Sequence, residues 1–367
     1  MSQSTREVIL HCSLIDGVGP AVLARLQRFL PQCSFPDLYQ WRIADFIERI
    51  GFSERLSKLF VDGLRCKAML DRELHLLERH QISWVVLGED DYPALLREIY
   101  LPPTILYWCG ASPHGAERAV AFVGSRQAGD YARRVVETLV PGALSAGAVI
   151  VSGGAIGADT MAHEAALCAG GKTVAVLGSG LLRPYPAVNK RLFDRIVASG
   201  GTLLSSFSLG TAALPGHFPA RNRIISGMCQ ATVVVQAAEK SGARITALQA
   251  LEQGRTVCVV PGDIFNPLSV GCHRLLEEGA TPVTSATDLL RALGWEVCED
   301  MSSESTAKSA STTDPLVFFC RVPRTFDELL HEVPVPAVEM QDRLFNLQIT
   351  GAILQDFTGR WVSTQAI

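Results

Sequence analysis

Arg126 and Lys190 stand in turn-forming stretches that follow apolar runs, at Val123-Gly124-Ser125-Arg126 and at Tyr185-Pro186-Ala187-Val188-Asn189-Lys190. In a protein of alternating strands and helices, such turns line the carboxyl edge of the sheet. There glycine lets backbone N–H groups meet an anion, and a cation completes the site. The chemistry on offer is therefore phosphate binding. The phosphates could belong to a cofactor, a nucleotide substrate or a polynucleotide.

Two further segments join them. Ser152-Gly153-Gly154-Ala155-Ile156-Gly157-Ala158-Asp159 closes a second apolar run, with Asp159 placed to cap the next helix and His163 one turn further on. Phe218-Pro219-Ala220-Arg221-Asn222-Arg223-Ile224-Ile225 places two arginines around an asparagine, to serve phosphates or the lip of the sheet, or to pair structurally. Phe193, one helical turn beyond Asn189 and Lys190, is either core or a platform on which a base stacks.

Enzyme fingerprints fail on these turns. A dinucleotide site needs G-x-G-x-x-G and an acid on the ribose, but Gly153-Gly154-Ala155-Ile156-Gly157 has the wrong spacing and Gly178-Ser179-Gly180 runs into Pro184. Ala166 to Thr173 nearly spells a P-loop, yet its order is helix, turn, strand, and Gly170-Gly171 reads as a helix C-cap. No G-x-S-x-G elbow is present; Ser206-Phe207-Ser208-Leu209-Gly210 lacks the first glycine. The histidines are scattered and the ten cysteines form no C-x-x-C pair, so metal sites and cofactors are not expected and the thiols read as reduced and mostly buried.

The elements that must position these turns follow from periodicity. Apolar runs at Ala119 to Val123, Ala148 to Val151, Thr173 to Leu177, Thr202 to Leu204, Ala231 to Val235, Thr256 to Val259 and Thr281 to Val283 predict strands. Helical spacing separates them at Tyr131 to Leu144, Thr160 to Cys168, Lys190 to Ala198, Arg244 to Gln253 and Cys272 to Glu278. The expected fold is α/β, an extended Rossmann-like three-layer sandwich with a mainly parallel sheet. The expected domains are a helical region at 1–85, the sandwich at 86–297, a flexible linker at 298–315 where apolar residues are scarce, and a small domain at 316–367.

Composition bounds the function. A net charge of −4 argues against a strongly basic nucleic-acid binder, but between residues 116 and 226 eleven bases face six acids. The first residues lack the apolar core of a signal peptide and no run of about eighteen apolar residues occurs, so a cytoplasmic protein without membrane insertion is expected.

Taken in order, Gly124-Ser125-Arg126, Ser152-Gly153 through Asp159 and His163, Tyr185-Pro186 with Asn189, Phe218-Pro219 with Arg221-Asn222-Arg223, Ser241-Gly242 with Thr246-Ala247, Pro261-Gly262 and Gly279-Ala280 make the chain resemble the bacterial DNA-processing protein A (DprA, or Smf) family. The resemblance implies a non-enzymatic protein that binds and protects single-stranded DNA, forms a homodimer and helps load the RecA recombinase in natural transformation. It places the DNA backbone against Gly124, Ser125, Arg126, Gly153 and Lys190, with Asn189 and Phe193 near a base and Arg221 and Arg223 on the same surface. The chain departs from the pattern at Ala132, at Ser206 and Gln236 where acids are usual, and at His273.

The resemblance also bears on the ends. Leu14-Ile15-Asp16-Gly17-Val18-Gly19-Pro20 looks like a helix-hairpin-helix turn, which in this family resembles a small helical module of SAM type, and Leu316 to Val362 resembles a winged helix for protein interaction. The competing class is a nucleotide-processing enzyme of the related lysine-decarboxylase-like group. It requires P-G-G-x-G-T-x-x-E, where this chain has Pro261-Gly262-Asp263-Ile264-Phe265.

Overall fold

The computed structural model describes residues 2–30, 32–114, 118–295, 315–333, 335–349, 351–356 and 359–364. Internal contacts divide the chain into two units, Met1–Val297 and Cys298–Ile367. The expected linker at 298–315 lies outside the described residues, apart from Pro315.

The first unit opens with helices α1 (Gln3–Leu14), α2 (Pro20–Phe29), α3 (Ile43–Ile50), α4 (Glu54–Arg65) and α5 (Lys67–Arg79). Side chains of Ser2 and Ser53 accept from the first-turn amides of α1 and α4, and Gly51 at φ 73° ends α3 in the left-handed conformation that its missing Cβ permits. Stacked rings of Phe46, Phe52 and Phe60 fill the centre of this bundle. The bundle is not separate from the sheet. Its buried residues share one core with Ile105, Tyr107, Leu177 and Phe193, and the Glu73 carboxylate accepts from the Leu209 amide at 2.8 Å.

Nine strands form the sheet: β1 (Ser83–Val86), β2 (Ile105–Gly110), β3 (Ala119–Val123), β4 (Val149–Ser152), β5 (Thr173–Val176), β6 (Thr202–Ser205), β7 (Ala231–Val234), β8 (Thr256–Val259) and β9 (Thr281–Pro282). They lie in the order β1-β2-β6-β5-β4-β3-β7-β8-β9, antiparallel at β1/β2 and β2/β6 and parallel elsewhere. The runs read as strands are strands to within a residue at each end. Missed were β1, of four residues, and β2, of six, on either side of a segment that carries prolines at 93, 102 and 103. Because β1 begins at Ser83, the sheet starts before the domain border expected at 86.

Helices cover both faces: α6 (Ala94–Arg97), α7 (Asp130–Ser145), α8 (Ala158–Cys168), α9 (Lys190–Ala198), α10 (His217–Gly227), α11 (Gly242–Glu252), α12 (Val270–Glu277) and α13 (Ala286–Ala292). Side chains alternate along β3, so that Val120 and Phe122 enter a core with α7, α8 and α13, whereas Ala119, Ala121 and Val123 enter one with α10 and α11. This is the expected Rossmann-like sandwich. The chain leaves β3 toward β4, β5 and β6, then returns to β7 on the other side, making β3/β7 the topological switch point.

The second unit has helices α14 (Pro315–Phe319), α15 (Phe326–Glu332) and α16 (Ala337–Ile349), then an antiparallel hairpin of β10 (Ile353–Gln355) and β11 (Trp361–Ser363). Leu316, Leu329, Met340, Leu344 and Ile353 form its core, and a capping box of Thr325 and Glu328 starts α15. No helix among the described residues is long and apolar enough to cross a membrane. Cysteines 12, 229, 258, 272 and 320 are buried, whereas Cys66 and Cys168 are exposed.

Candidate functional site

Outside the carboxyl ends of β3, β4 and β7 an open cleft of about 780 Å³ runs between the turns. Its floor is set by close backbone approaches. The Ser125 amide donates to the Gln236 carbonyl at 2.7 Å, and the Ser125 hydroxyl accepts from the Gln127 amide at 3.0 Å. Gly157 starts α8 at φ 86°, and a Cβ there would stand 2.5 Å from the Ser125 carbonyl oxygen. Gly157→Ala is therefore expected to cost more than about 2 kcal/mol, through left-handed strain and a backbone clash. A urea midpoint equal to wild type would show that the turn relaxes instead.

Arg126 is exposed at the mouth of this cleft. Its guanidinium lies 5.5 Å from the centroid of Phe218, whose ring also carries Arg221 at 5.8 Å and meets the half-exposed ring of Tyr185 at 5.9 Å. Lys240 and the start of α11 form the opposite wall, with the Ser241 hydroxyl accepting from the Ala243 amide at 3.1 Å. Cations, two aromatic rings and a helix N-terminus thus converge where a phosphate and a flat ring can both be held. Sequence reasoning missed Lys240. Lys240-Ser241-Gly242 follows an apolar run just as Gly124-Ser125-Arg126 does, and the same argument finds it.

Beneath Arg126 the site is locked by Arg221, which is 4 % exposed. Its Nη1 donates to the carbonyls of Gly153 and Val176, the latter at 2.7 Å, tying the ends of β4 and β5 together. Asp159 lies beside it and accepts from the Ala155 amide at 3.2 Å, so it secures the loop before α8 while Gly157 occupies the capping position expected of Asp159. Burial pushes the Asp159 carboxyl up and the Arg221 guanidinium down, and each charge opposes the other's shift. Among the described residues lining the cleft, Asp159 is the one carboxylate.

His163 is fully buried one turn along α8, its Nδ1 2.8 Å from the Thr173 hydroxyl. Burial, helped by Arg221, holds its pKa down to about 3. The ring stays neutral in the folded chain and protonates in the unfolded chain below its ordinary 6.5. Its contribution is therefore full above pH 6.5 and is lost as pH falls toward 3. His163→Gln should flatten the acid-side dependence of unfolding free energy by up to about 1.4 kcal/mol per pH unit. Equal slopes for variant and wild type would contradict a neutral buried imidazole.

Four sequence-assigned residues do not line the cleft. Phe193 is 1 % exposed and packs beneath the glycine loop, where a Cβ on Gly154 would come within 2.7 Å of its ring, so no base can stack on it. Asn189 is buried and donates to the Gly154 carbonyl at 2.9 Å and the Thr160 hydroxyl at 2.8 Å, which joins two turns and leaves its amide N–H groups committed. Arg223 faces away from the cleft and holds the carbonyls of Tyr100 and Leu101. Lys190 is exposed at the start of α9, 3.5 Å from Asp194, and does not line the cleft. Gly124, Ser125, Arg126 and Arg221 are the assigned residues that do line it, with Gly153 in an adjoining recess below Arg126.

The sequence model of the DNA recombination-mediator protein A family matches residues 83–294, which span the whole sheet and the cleft. DNA processing protein DprA of Streptococcus pneumoniae is 46% identical over 202 residues, covering 55% of this chain and 71% of that one. Protein Smf of Synechocystis is 35% identical over 301 residues, covering 80% and 74%. The X-ray structure of the Streptococcus pneumoniae protein superposes with a TM-score of 0.63 at 36% identity over 76% of this chain and 99% of that one. DNA processing protein A of Helicobacter pylori, whose structure concerns its single-stranded DNA binding mode, gives 0.53 at 29% identity over 59% and 98%. The chain belongs to the DNA recombination-mediator protein A family, the DprA/Smf proteins.

Proposed function

We propose that this protein binds single-stranded DNA along the carboxyl edge of its sheet and passes the strand to a RecA-type recombinase, acting in natural transformation as a homodimer and without catalysis of its own. The observation that carries this reading is Arg126, an exposed guanidinium over an aromatic ring in an open cleft. Such a pair neutralises a phosphate and supports a base without reading its identity. The Helicobacter pylori relative's single-stranded DNA binding mode supports it.

A nucleotide-processing enzyme would require a free carboxylate beside the phosphates. Asp159, buried against Arg221 and the Ala155 amide, is not available as one. Lys190 serves as an outlying contact, since an exposed pair such as Lys190–Asp194 contributes only about 0–1 kcal/mol and yields to a phosphate. Residues 1–85 act as a helical module packed on the sheet and 316–367 as a winged-helix module for protein contacts.

Titrating labelled single- and double-stranded oligonucleotides of equal length at two salt concentrations tests the reading. Preference for the single strand and a marked loss of affinity at higher salt are expected. Equal affinity for the duplex, or turnover of a nucleoside monophosphate, would overturn it. For the homodimer, light scattering at micromolar concentration should give twice the chain mass, and the monomer mass would contradict it.

A further inference from the structure

The loop after β8, residues 261–269, presents two apolar side chains to solvent, Ile264 at 73 % exposure and Phe265 at 86 %. Single exposed apolar residues are common on proteins, but these two are adjacent and are held out by a bonded loop. The Asp263 carboxylate accepts from the Phe265 amide at 2.9 Å and the Asn266 side chain accepts from the Leu268 amide at 2.9 Å, while the Asn266 and Ser269 amides donate to the Asp263 and Asn266 carbonyls. Both flanks are tied as well. The Tyr131 hydroxyl donates to the Pro261 carbonyl, and the His273 Nε2 lies 3.0 Å from the Gly262 carbonyl. A ring preorganised in this way can bind without its loop having to be ordered first.

The loop continues the line of the cleft. Strands β5, β4, β3, β7 and β8 lie side by side, and the turns that follow β5, β3 and β7 carry Tyr185, Arg126 and Lys240. The loop after β8 is next in that row. Its Leu268 lines the cleft together with Lys240 and Ser241, and the Gly271 amide donates to the Ala237 carbonyl at 2.8 Å, which joins the end of the loop to the turn that carries Lys240. The turns bearing Tyr185 and Phe265 therefore leave strands that stand four spacings apart, roughly 19 Å.

Between those two rings lie Arg126 and Lys240, the latter exposed and without an ion pair among the described residues. Exposed rings at both ends with cations between them suit a single strand, whose bases stack while its phosphates are neutralised. We propose that Phe265 is a further stacking platform for single-stranded DNA, so that the bound strand crosses the sheet edge from the turn after β5 to the loop after β8. This extends the strand-binding reading of the cleft and rests on it.

Anisotropy titrations of the full chain with a labelled oligothymidylate of about twelve residues, and with an abasic strand of the same length, test this. Phe265→Ala should weaken binding of the oligothymidylate about fivefold to a hundredfold, the worth of one stacked base, and should leave the abasic strand bound as by wild type. Phe265→Trp should bind at least as tightly as wild type, whereas Phe265→Leu, which keeps apolar bulk without a flat face, should bind as weakly as Phe265→Ala. All three should unfold at the wild-type urea midpoint, because the side chain is exposed. Arg126→Ala should weaken both strands, since it removes a phosphate contact. The proposal fails if Phe265→Ala binds the oligothymidylate as wild type does while Arg126→Ala weakens both strands, which leaves the cleft reading standing without this extension. It fails equally if Phe265→Leu binds as wild type, or if Phe265→Ala halves the mass seen by light scattering, either of which makes the loop a protein contact. Wild-type binding of both strands by Arg126→Ala would overturn the cleft reading itself, and this extension with it.

Discussion

Arg126→Ala weakens single-stranded DNA binding by about tenfold to a hundredfold and leaves the unfolding midpoint unchanged. The affinity term follows from losing a phosphate contact together with the cation–π support of Phe218, worth about 1–3 kcal/mol together. The stability term follows from exposure, because the Arg126 side chain holds no hydrogen bond or ion pair among the described residues that its removal would leave unsatisfied. The loss should be similar for strands of different sequence, and the salt dependence should flatten by roughly 0.7 in logarithmic slope, one phosphate's share. Lys190→Ala, outside the cleft and already facing Asp194, should cost only a few-fold. A gel shift or anisotropy titration in which Lys190→Ala weakens binding more than Arg126→Ala would move the strand onto α9 and away from the cleft.

Arg221→Ala has the opposite signature, a large loss of stability that precedes any loss of binding. Its guanidinium holds the carbonyls of Gly153 and Val176 and sits against the buried Asp159. Truncation leaves a buried carboxylate and two carbonyls without their donor, and breaking a buried pair in this way costs about 3–5 kcal/mol. Arg221→Lys should not rescue it, since a point charge cannot replace a planar fork reaching two strands. Gly153→Ala should act through the same lock, because its Cβ would stand 2.6 Å from the Arg221 Cζ and 2.7 Å from the Asp159 Oδ2. Urea unfolding at neutral pH reads all three variants. A wild-type midpoint for Arg221→Ala would show that this arginine is a ligand-facing residue and not a lock.

These two arginines show what the sequence makes legible and what it hides. Both stand in glycine- or proline-marked segments near apolar runs, so both read as candidates for a phosphate. The direction of a side chain is decided by packing, and packing puts Arg126 in solvent and Arg221 under the glycine loop. The same limit explains Phe193. Its helical spacing allowed either core or platform, and only the approach of Gly154 settles it as core.

The sheet was read almost to the residue wherever strands are continuous apolar runs flanked by helices, as at β3 and β8. It was missed at the antiparallel strands β1 and β2, because the prolines at 93, 102 and 103 between them suggest a connecting segment. Helix α10 was obscured because Pro219 lies inside it. Proline is tolerated there, in the first turn, where its missing N–H would have had no helical partner. That helix is one wall of the cleft, carrying Phe218, Arg221 and Asn222, so its absence from the sequence reading hid which way these side chains face.

Photocrosslinking is the most direct test that the strand lies in the cleft. A single strand carrying 5-iodouracil, irradiated on the full chain and mapped by mass spectrometry, should attach to the aromatic rings beside Arg126. The peptides bearing Tyr185 and Phe218 should carry the adduct, and Arg126→Ala should reduce its yield. Adducts confined to residues 315–364, or to the outer face of α9, would contradict the account.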